Sequence, residues 1–280
     1  IKLNIRIITN GSILDDERLR FIKEQSIEVS VSFEIIPEIQ ALQRKHNEIV
    51  VTNINRIIDY GIPVQLNATI TPINVDRITE MVEIVNRDYP TVKNIMFEPV
   101  VAETMFATPE DMRQFYQQYI KGFIQGRILA DKYNIYLTSF AYLRTIFPLD
   151  RACPGEFCVT AKGAITGCYC VDSEKMSLFE ITKYGSINND GIVFDDSKYM
   201  NLINNNVYSK PECADCEVRW NCGGGCFHQY NTYSKPYIDE VCQFTKDFVK
   251  QVVKYKVDKR LQRGNYEEIK QQPIYFKEEW

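Results

Sequence analysis

The sequence predicts an α/β protein in which a parallel sheet is followed by a cysteine-rich region. Strand-like and helix-like patterns alternate four times over roughly the first 105 residues, as they do in the βα units of a parallel sheet. All nine cysteines lie after residue 152, so the composition divides the chain into two parts. The 280 residues suffice for one large domain or two smaller ones, each with a real core.

Hydrophobic periodicity places the elements of the first part. Apolar or alternating runs predict strands, and apolar residues at helical spacing predict helices. The strands are expected at residues 5–9, 27–34, 64–70 and 92–100. The helices are expected at residues 15–25, 47–61, 75–89 and 108–133. Gly61 is expected to stop the second helix, Asn74 to cap the third and Thr108-Pro109 to begin the fourth.

Polar residues follow the predicted strands. In parallel sheets the ligand lies at the carboxyl ends of the strands, so we expect a ligand site there. The residues expected at that edge are Thr9, Asn10, Ser32, Glu34, Asn67, Thr69, Glu98 and Pro99. Four parallel strands cannot close a barrel, and the first would leave an apolar edge exposed. We therefore expect further βα units before Ile1; the alternative is an open four-stranded sheet covered by the C-terminal tail.

Composition excludes several classes of protein. The formal net charge of −4 argues against a nucleic-acid-binding surface. No apolar run approaches the roughly 20 residues that a membrane span needs. No signal peptide is visible, so the sequence predicts a cytoplasmic location.

The cysteine spacing favours iron–sulfur clusters. The segment CADCEVRWNCGGGC, residues 213–226, combines four thiols with three consecutive glycines that let the backbone wrap closely around a cofactor. Thiolates from separated segments around glycine-rich turns suit such clusters, whose ligands are usually cysteine. A disulfide scaffold is disfavoured by the chain length and the odd cysteine count. Zinc stays an alternative, although four-cysteine zinc sites commonly use two Cys-x2-Cys pairs and only one is present.

The complete pattern resembles a known signature. Cys-x9-Gly-x4-Cys, a gap, and Cys-x2-Cys-x5-Cys-x3-Cys-x15-Cys resemble the seven-cysteine signature of SPASM domains, apart from a slightly shorter last spacing. These are the auxiliary-cluster domains of radical S-adenosylmethionine (SAM) enzymes. In the first part, IITNGSILDDERL, VSVSFEIIPEIQALQRK, VQLNATITPINVDRITEMV and IMFEPV resemble strands three to six of the radical SAM barrel.

Two departures qualify the resemblance. The family often carries Ser-x-Asp-Gly after its fourth strand, whereas this chain has Ser32 and Glu34 without the Asp-Gly. The Cys-x3-Cys-x2-Cys loop that binds the catalytic cluster is absent, as is the Gly-Gly-Glu-like segment. The cysteine loop and the Gly-Gly-Glu-like segment are both expected before Ile1. The chain is therefore not expected to cleave SAM by itself.

The resemblance implies a domain organisation and a set of site residues. Residues 1–150 would form the last four βα units of a (β/α)6 partial barrel, 151–245 an irregular SPASM domain, and 246–280 a C-terminal helix and tail. Cys242 would lie at the start of a helix over 242–263. The residues implied to face SAM are Asn10, Ser32, Glu34 and Asn67.

The resemblance also implies two auxiliary [4Fe–4S] clusters. The implied ligands of an outer cluster are Cys213, Cys216, Cys222 and Cys242. The implied ligands of an inner cluster are Cys153, Cys168 and Cys226. Cys158 or Cys170 would complete the inner cluster, and Cys170 would share a face with Cys168 if that segment is a strand. Each thiol could instead be simply buried. If neither binds, the inner cluster keeps an open iron for a substrate thiolate.

The implied function is radical chemistry on a peptide or protein. In the intact enzyme a third [4Fe–4S] cluster, fed by an external electron donor, would reduce SAM to a 5′-deoxyadenosyl radical that abstracts a substrate hydrogen. The segment Ser32-Phe33-Glu34, which replaces the Ser-x-Asp-Gly of many family members, resembles the corresponding segment in maturases of ribosomally made peptides. The alternatives are a non-catalytic iron–sulfur electron-transfer or scaffold module and a zinc-stabilised binding protein.

Overall fold

The computed structural model describes residues 4–262 except 146, 154 and 190. Its strands are β1 Arg6–Thr9, β2 Glu28–Ser32, β3 Val64–Ile70, β4 Asn94–Pro99, β5 Tyr136–Thr138, β6 Cys158–Val159, β7 Ala164–Thr166, β8 Lys183–Asn188 and β9 Gly191–Phe194. Its α-helices are α1 Asp16–Glu24, α2 Pro37–Gln43, α3 Asn47–Asp59, α4 Ile78–Asp88, α5 Pro109–Lys132, α6 Phe140–Arg144, α7 Phe179–Thr182, α8 Asp196–Ile203, α9 Arg219–Cys222, α10 Phe227–Thr232 and α11 Lys235–Gln262.

The chain forms two compact units. The first takes in Ile1–Ala102 and Glu110–Phe140, and the second takes in Glu103–Pro109 and Ala141–Trp280. Helix α11 runs without a break across residue 245. The domain boundaries expected at 150 and 245 stay predictions. Within the described residues, none of the helices combines the length and apolar character that a membrane crossing requires.

The first unit contains a five-stranded parallel sheet in the order β1-β2-β3-β4-β5. This confirms the predicted α/β class with its parallel sheet, whereas the prediction of four strands is wrong. The missed strand β5 has only three residues, too few for a period-two pattern to stand out. It is held on β4 and covered by α5, where the buried Arg127 donates to the Leu137 carbonyl oxygen over 2.6 Å.

Two of the three predicted helix signals are confirmed. Gly61 adopts φ +69° just after α3 ends, and Pro109 is the first residue of α5. Asn74 does not cap a helix through its side chain. Its amide oxygen accepts from the Thr71 backbone N–H over 2.7 Å, and its amide nitrogen donates to the Thr69 carbonyl. Asn74 therefore ties down its own turn, and α4 begins only at Ile78.

Strand β1 forms an exposed edge of this sheet. Among the described residues its sole strand neighbour is β2, and the side chain of Ile8 is 70% exposed. An apolar edge strand with free backbone groups can pair with another strand. The C-terminal tail that the alternative placed over the sheet lies outside the described residues.

The second unit contains an antiparallel sheet in the order β6-β7-β8-β9. Strands β6 and β7 pair with each other as an antiparallel hairpin. Gly163 turns the chain between them at φ +82°, where a Cβ would lie 2.4 Å from the Ile187 carbonyl oxygen. The helix predicted to begin at Cys242 begins earlier, at Lys235. Pro236 does not prevent this earlier start, since proline is tolerated in the first turn of a helix. Its predicted end at residue 263 lies outside the described residues.

Candidate functional sites: a polar sheet face and two cysteine groups

One face of the parallel sheet is polar near the carboxyl ends of its strands. Along β3 the residues alternate between buried and half-buried, and Gln65, Asn67 and Thr69 occupy the half-buried face. The register aligns Ser32 with Asn67, Asn67 with Met96, and Thr69 with Glu98. Because aligned residues of neighbouring strands share a face, these side chains form one continuous surface.

Two further residues of this face, Gln65 and Met96, were not among the predicted site residues. Their signal was the period-two alternation of the strands, which places every second residue on the same face. Gln65 donates its amide N–H to the Asn67 side-chain oxygen over 2.7 Å. Asn10, after β1, accepts from the backbone and the hydroxyl of Ser12 over 3.0 and 2.8 Å. Contact of Asn10, Ser32 and Asn67 with SAM stays a prediction.

Glu34 is fully buried beside this face. Its carboxylate accepts from the Thr69 backbone N–H over 3.0 Å and from the Arg44 guanidinium. Arg44 also donates to the Thr69 hydroxyl over 3.1 Å. Glu34 therefore joins the end of β2 to the end of β3, and its predicted SAM contact would have to share these hydrogen bonds. Burial raises the pKa of Glu34, and Arg44 opposes that rise.

Replacing Arg44 with methionine is expected to lower the free energy of unfolding by about 3 kcal/mol at pH 7, because the buried Glu34 loses its counter-charge. The pKa of Glu34 is already raised above its ordinary 4.5, so above that pH the folded state binds more protons than the unfolded state. The stability contributed by the protonated carboxyl is present below pH 4.5 and is lost as the pH rises. In R44M the free energy of unfolding falls more steeply as the pH rises. The difference in this free energy between R44M and the unmodified chain is therefore smallest near pH 4.5.

Urea unfolding at pH 4.5 and pH 7 measures this effect. A suitable control is Arg87→Met, which removes an exposed ion pair with Asp88 and should leave stability nearly unchanged at both pH values, because exposed ion pairs contribute little. An R44M loss that does not depend on pH would contradict the assigned role of Glu34.

Four cysteines line one cavity of about 290 Å³ in the second unit. They come from three separate places in the chain: a short 3₁₀ turn, the loop and helix that follow it, and the third turn of α11. These four, named here the outer cysteine group, are Cys213, Cys216, Cys222 and Cys242. They are the residues that the resemblance implied for the outer cluster, and Cys242 reaches the cavity from outside the cysteine loop as expected.

The electrostatics of Cys213 and Cys222 favour their thiol forms. Burial, followed by the negative charge of Cys242, raises the pKa of Cys222 to about 11. Burial also raises the pKa of Cys213. A metal centre reverses this preference by binding the thiolates directly. Four sulfur donors around one cavity fit a cysteine-ligated iron–sulfur cluster. Among the described residues, no three metal-binding side chains are arranged to hold a single metal ion.

The three glycines allow the backbone to pass close to its neighbours. Gly223 ends α9 at φ +61°, and a Cβ there would lie 2.5 Å from the Ala152 backbone nitrogen. The Ala152 N–H donates to the Gly223 carbonyl oxygen over 2.7 Å. Gly225, at φ +79°, would place a Cβ 2.6 Å from the ring of Tyr230. Any side chain at these positions would push the cysteine loop away from its supports.

The other five cysteines gather around the turn that follows β7. The charges of Cys168 and Cys226 act on Cys153, whose pKa is raised mainly by burial. This inner cysteine group contains Cys153, Cys158, Cys168, Cys170 and Cys226. The residues implied for the inner cluster, including both candidates for its completion, thus lie close enough for their charges to influence one another. Its role as a ligand set stays a prediction.

The geometry of Cys168 and Cys170 differs from the strand that the sequence allowed. Strand β7 ends at Thr166, and the two thiols lie in the turn that follows it, which the Val171 N–H closes on the Cys168 carbonyl oxygen over 3.0 Å. The sequence analysis also missed Glu156. Its carboxylate accepts from the Cys158 thiol over 3.7 Å, and its charge acts on the neighbouring thiols. All nine cysteines are free thiols, so the structure contains no disulfide among them.

No protein-family model matches the sequence, and no curated protein matches it. Solved structures do match. Native anSMEcpe with bound AdoMet and the Kp18Cys peptide aligns with a TM-score of 0.68 at 14% identity, over 91% of this chain and 76% of that chain. Streptococcus suis SuiB bound to S-adenosylmethionine aligns with a TM-score of 0.54 at 13% identity, over 83% of this chain and 57% of that chain. SuiB bound to the precursor peptide SuiA aligns with a TM-score of 0.51. Over most of its length, therefore, the chain has the fold of anSMEcpe.

Proposed function

We propose that the chain is part of a radical SAM enzyme with a SPASM domain that modifies a peptide or protein substrate. The observation that carries this proposal is the outer cysteine group, four thiols around one cavity, in a chain with the fold of anSMEcpe. The anSMEcpe structure holds AdoMet and a peptide, and SuiB has been solved with a precursor peptide. A peptide substrate is therefore the class that these similarities support best.

The two cysteine groups would hold two auxiliary [4Fe–4S] clusters. The outer group supplies four thiolates, and the inner group supplies Cys153, Cys168 and Cys226 with Cys158 or Cys170 as a fourth. If neither of the last two binds, an iron of the inner cluster stays open for a substrate thiolate. Ser32 and Asn67 would hold SAM at the polar sheet face. SAM and a third cluster would together supply the radical that abstracts a hydrogen from the substrate.

The third cluster needs ligands that this sequence does not contain, because its first 152 residues have no cysteine. We propose that they come from a barrel segment that adds to the exposed edge of β1. An external electron donor would reduce that cluster, and the chain alone would not cleave SAM. The nine free thiols suit a reducing compartment, and we propose a cytoplasmic location.

The test is the iron, zinc and acid-labile sulfide content of the chain after anaerobic purification and reconstitution. About eight irons with matching sulfide are expected for two four-iron clusters. Zinc without sulfide would overturn the proposal and favour a zinc-stabilised binding protein. Cys158→Ser and Cys170→Ser, compared one by one, identify the fourth inner ligand by which variant changes the electron paramagnetic resonance (EPR) spectrum.

A further inference from the structure

A lysine contacts the glycine loop that follows Cys222 of the outer cysteine group. The half-buried Lys210 donates its ammonium N–H to the Gly224 carbonyl oxygen, within the glycine loop. Its nitrogen also lies 3.4 Å from the centre of the Tyr230 ring. The charges of Cys213 and Cys222 act on this ammonium. Lys210 is therefore held by the glycine loop and an aromatic face, close to the thiols.

Tyr230 connects the lysine to a cysteine. Its hydroxyl lies 3.7 Å from the Cys242 sulfur, which is a hydrogen-bond distance for sulfur. A thiolate at Cys242 can only accept, so the Tyr230 hydroxyl would donate to it. The ring approaches because Gly225 has no Cβ, which would otherwise lie 2.6 Å from it. Lys210 thus contacts both Gly224 and Tyr230, and Tyr230 in turn contacts Cys242.

Among the described residues, Lys210 forms no ion pair with a carboxylate. Lys235, which lines the cavity of the outer cysteine group, pairs with Asp239. The negative charges that act on Lys210 are those of Cys213 and Cys222, followed by Glu212 and Cys242. A positive charge and a hydrogen-bond donor near cysteine sulfur both favour the more negative, reduced state of an iron–sulfur centre.

We propose that Lys210 and Tyr230 are positioning residues that raise the reduction potential of the centre bound by the outer cysteine group. This inference rests on the proposed function, since it requires a cluster at that group. One-electron reduction adds one negative charge to the centre. The Lys210 ammonium offsets that charge electrostatically, and the Tyr230 hydroxyl does so by hydrogen bonding to Cys242.

The experiment measures the midpoint potentials of the anaerobically reconstituted chain by an EPR-monitored redox titration. Lys210→Met should lower the reduced-to-oxidised ratio of one centre at least tenfold at a fixed poise, which corresponds to about 59 mV for one electron. Tyr230→Phe should move the same centre in the same direction by less. Lys210→Arg keeps the charge and should restore most of the potential.

The matched control is the double variant Lys235→Met/Asp239→Asn, which removes a complete ion pair from the wall of the outer-group cavity and leaves the local net charge unchanged. Its potential should equal that of the unmodified chain. The proposal is overturned if Lys210→Met behaves like this double variant. If Lys210→Met binds too little iron to titrate, Tyr230→Phe decides, and an unchanged potential in that variant overturns the proposal. Absence of any iron–sulfur centre in the unmodified chain would instead mean that the proposed function fails.

Discussion

Replacement of Cys222 by alanine is expected to lower the iron content of the reconstituted chain from about eight atoms to about four. The outer cysteine group would lose one of the four thiols that line its cavity, while the inner group keeps all its members. Cys153→Ala should remove the other four irons. The double variant should bind almost none, because two separate centres are lost additively.

The control for the outer group is Thr245→Ala, which alters the wall of the same cavity without removing a thiol. It should retain about eight irons. Iron and sulfide assays combined with EPR of the reduced protein measure these outcomes. If C222A and C153A abolish the same signal, the nine cysteines form one centre, and the assignment of two groups is wrong.

Replacement of Gly223 by alanine is expected to destabilise the second unit strongly. Alanine at a left-handed backbone position costs about 1–2 kcal/mol. The new Cβ would also meet the Ala152 backbone 2.5 Å away, and overpacking of this kind adds about 1–3 kcal/mol. Because that segment leads directly to Cys153, we also expect the iron content to fall.

A matched control isolates the clash from the backbone preference. Gly61 has a similar φ of +69°, and no atom lies within 4 Å of a Cβ built there. Gly61→Ala should therefore lower the free energy of unfolding only by the left-handed cost, about 1–2 kcal/mol. Equal losses in denaturant unfolding of the two variants would show that the close approach of Gly223 to Ala152 has no energetic role.

Much of the first unit was predictable because its signals are local. The period-two pattern of β3 and the Pro109 helix start depend only on neighbouring residues, and both agree with the structure. Strand β5 escaped prediction because its three residues are defined by pairing with β4. Asn74 was assigned as a cap from its residue type alone. Its amide in fact bonds to the preceding turn, a choice that depends on the path of the whole loop.

The same distinction applies to the cysteine groups. The spacing favoured iron–sulfur clusters, and the resemblance to SPASM domains implied the division of the thiols into an outer and an inner set. Nothing in the spacing marked Glu156, which lies between two cysteines in sequence and meets one of them only after the loop folds. Nothing marked Lys210 or Tyr230 either.

The amino-acid sequence by itself determined the α/β class and the order of the early elements. These depend on periodicity, which is a property of neighbouring residues. Only the tertiary structure decided which groups surround the thiols. The contact from Lys210 to Gly224 spans 14 residues and the one from Tyr230 to Cys242 spans 12, so both exist only because the glycine loop and α11 pack together. Long-range packing therefore sets the charge around this site, and no local pattern encodes it.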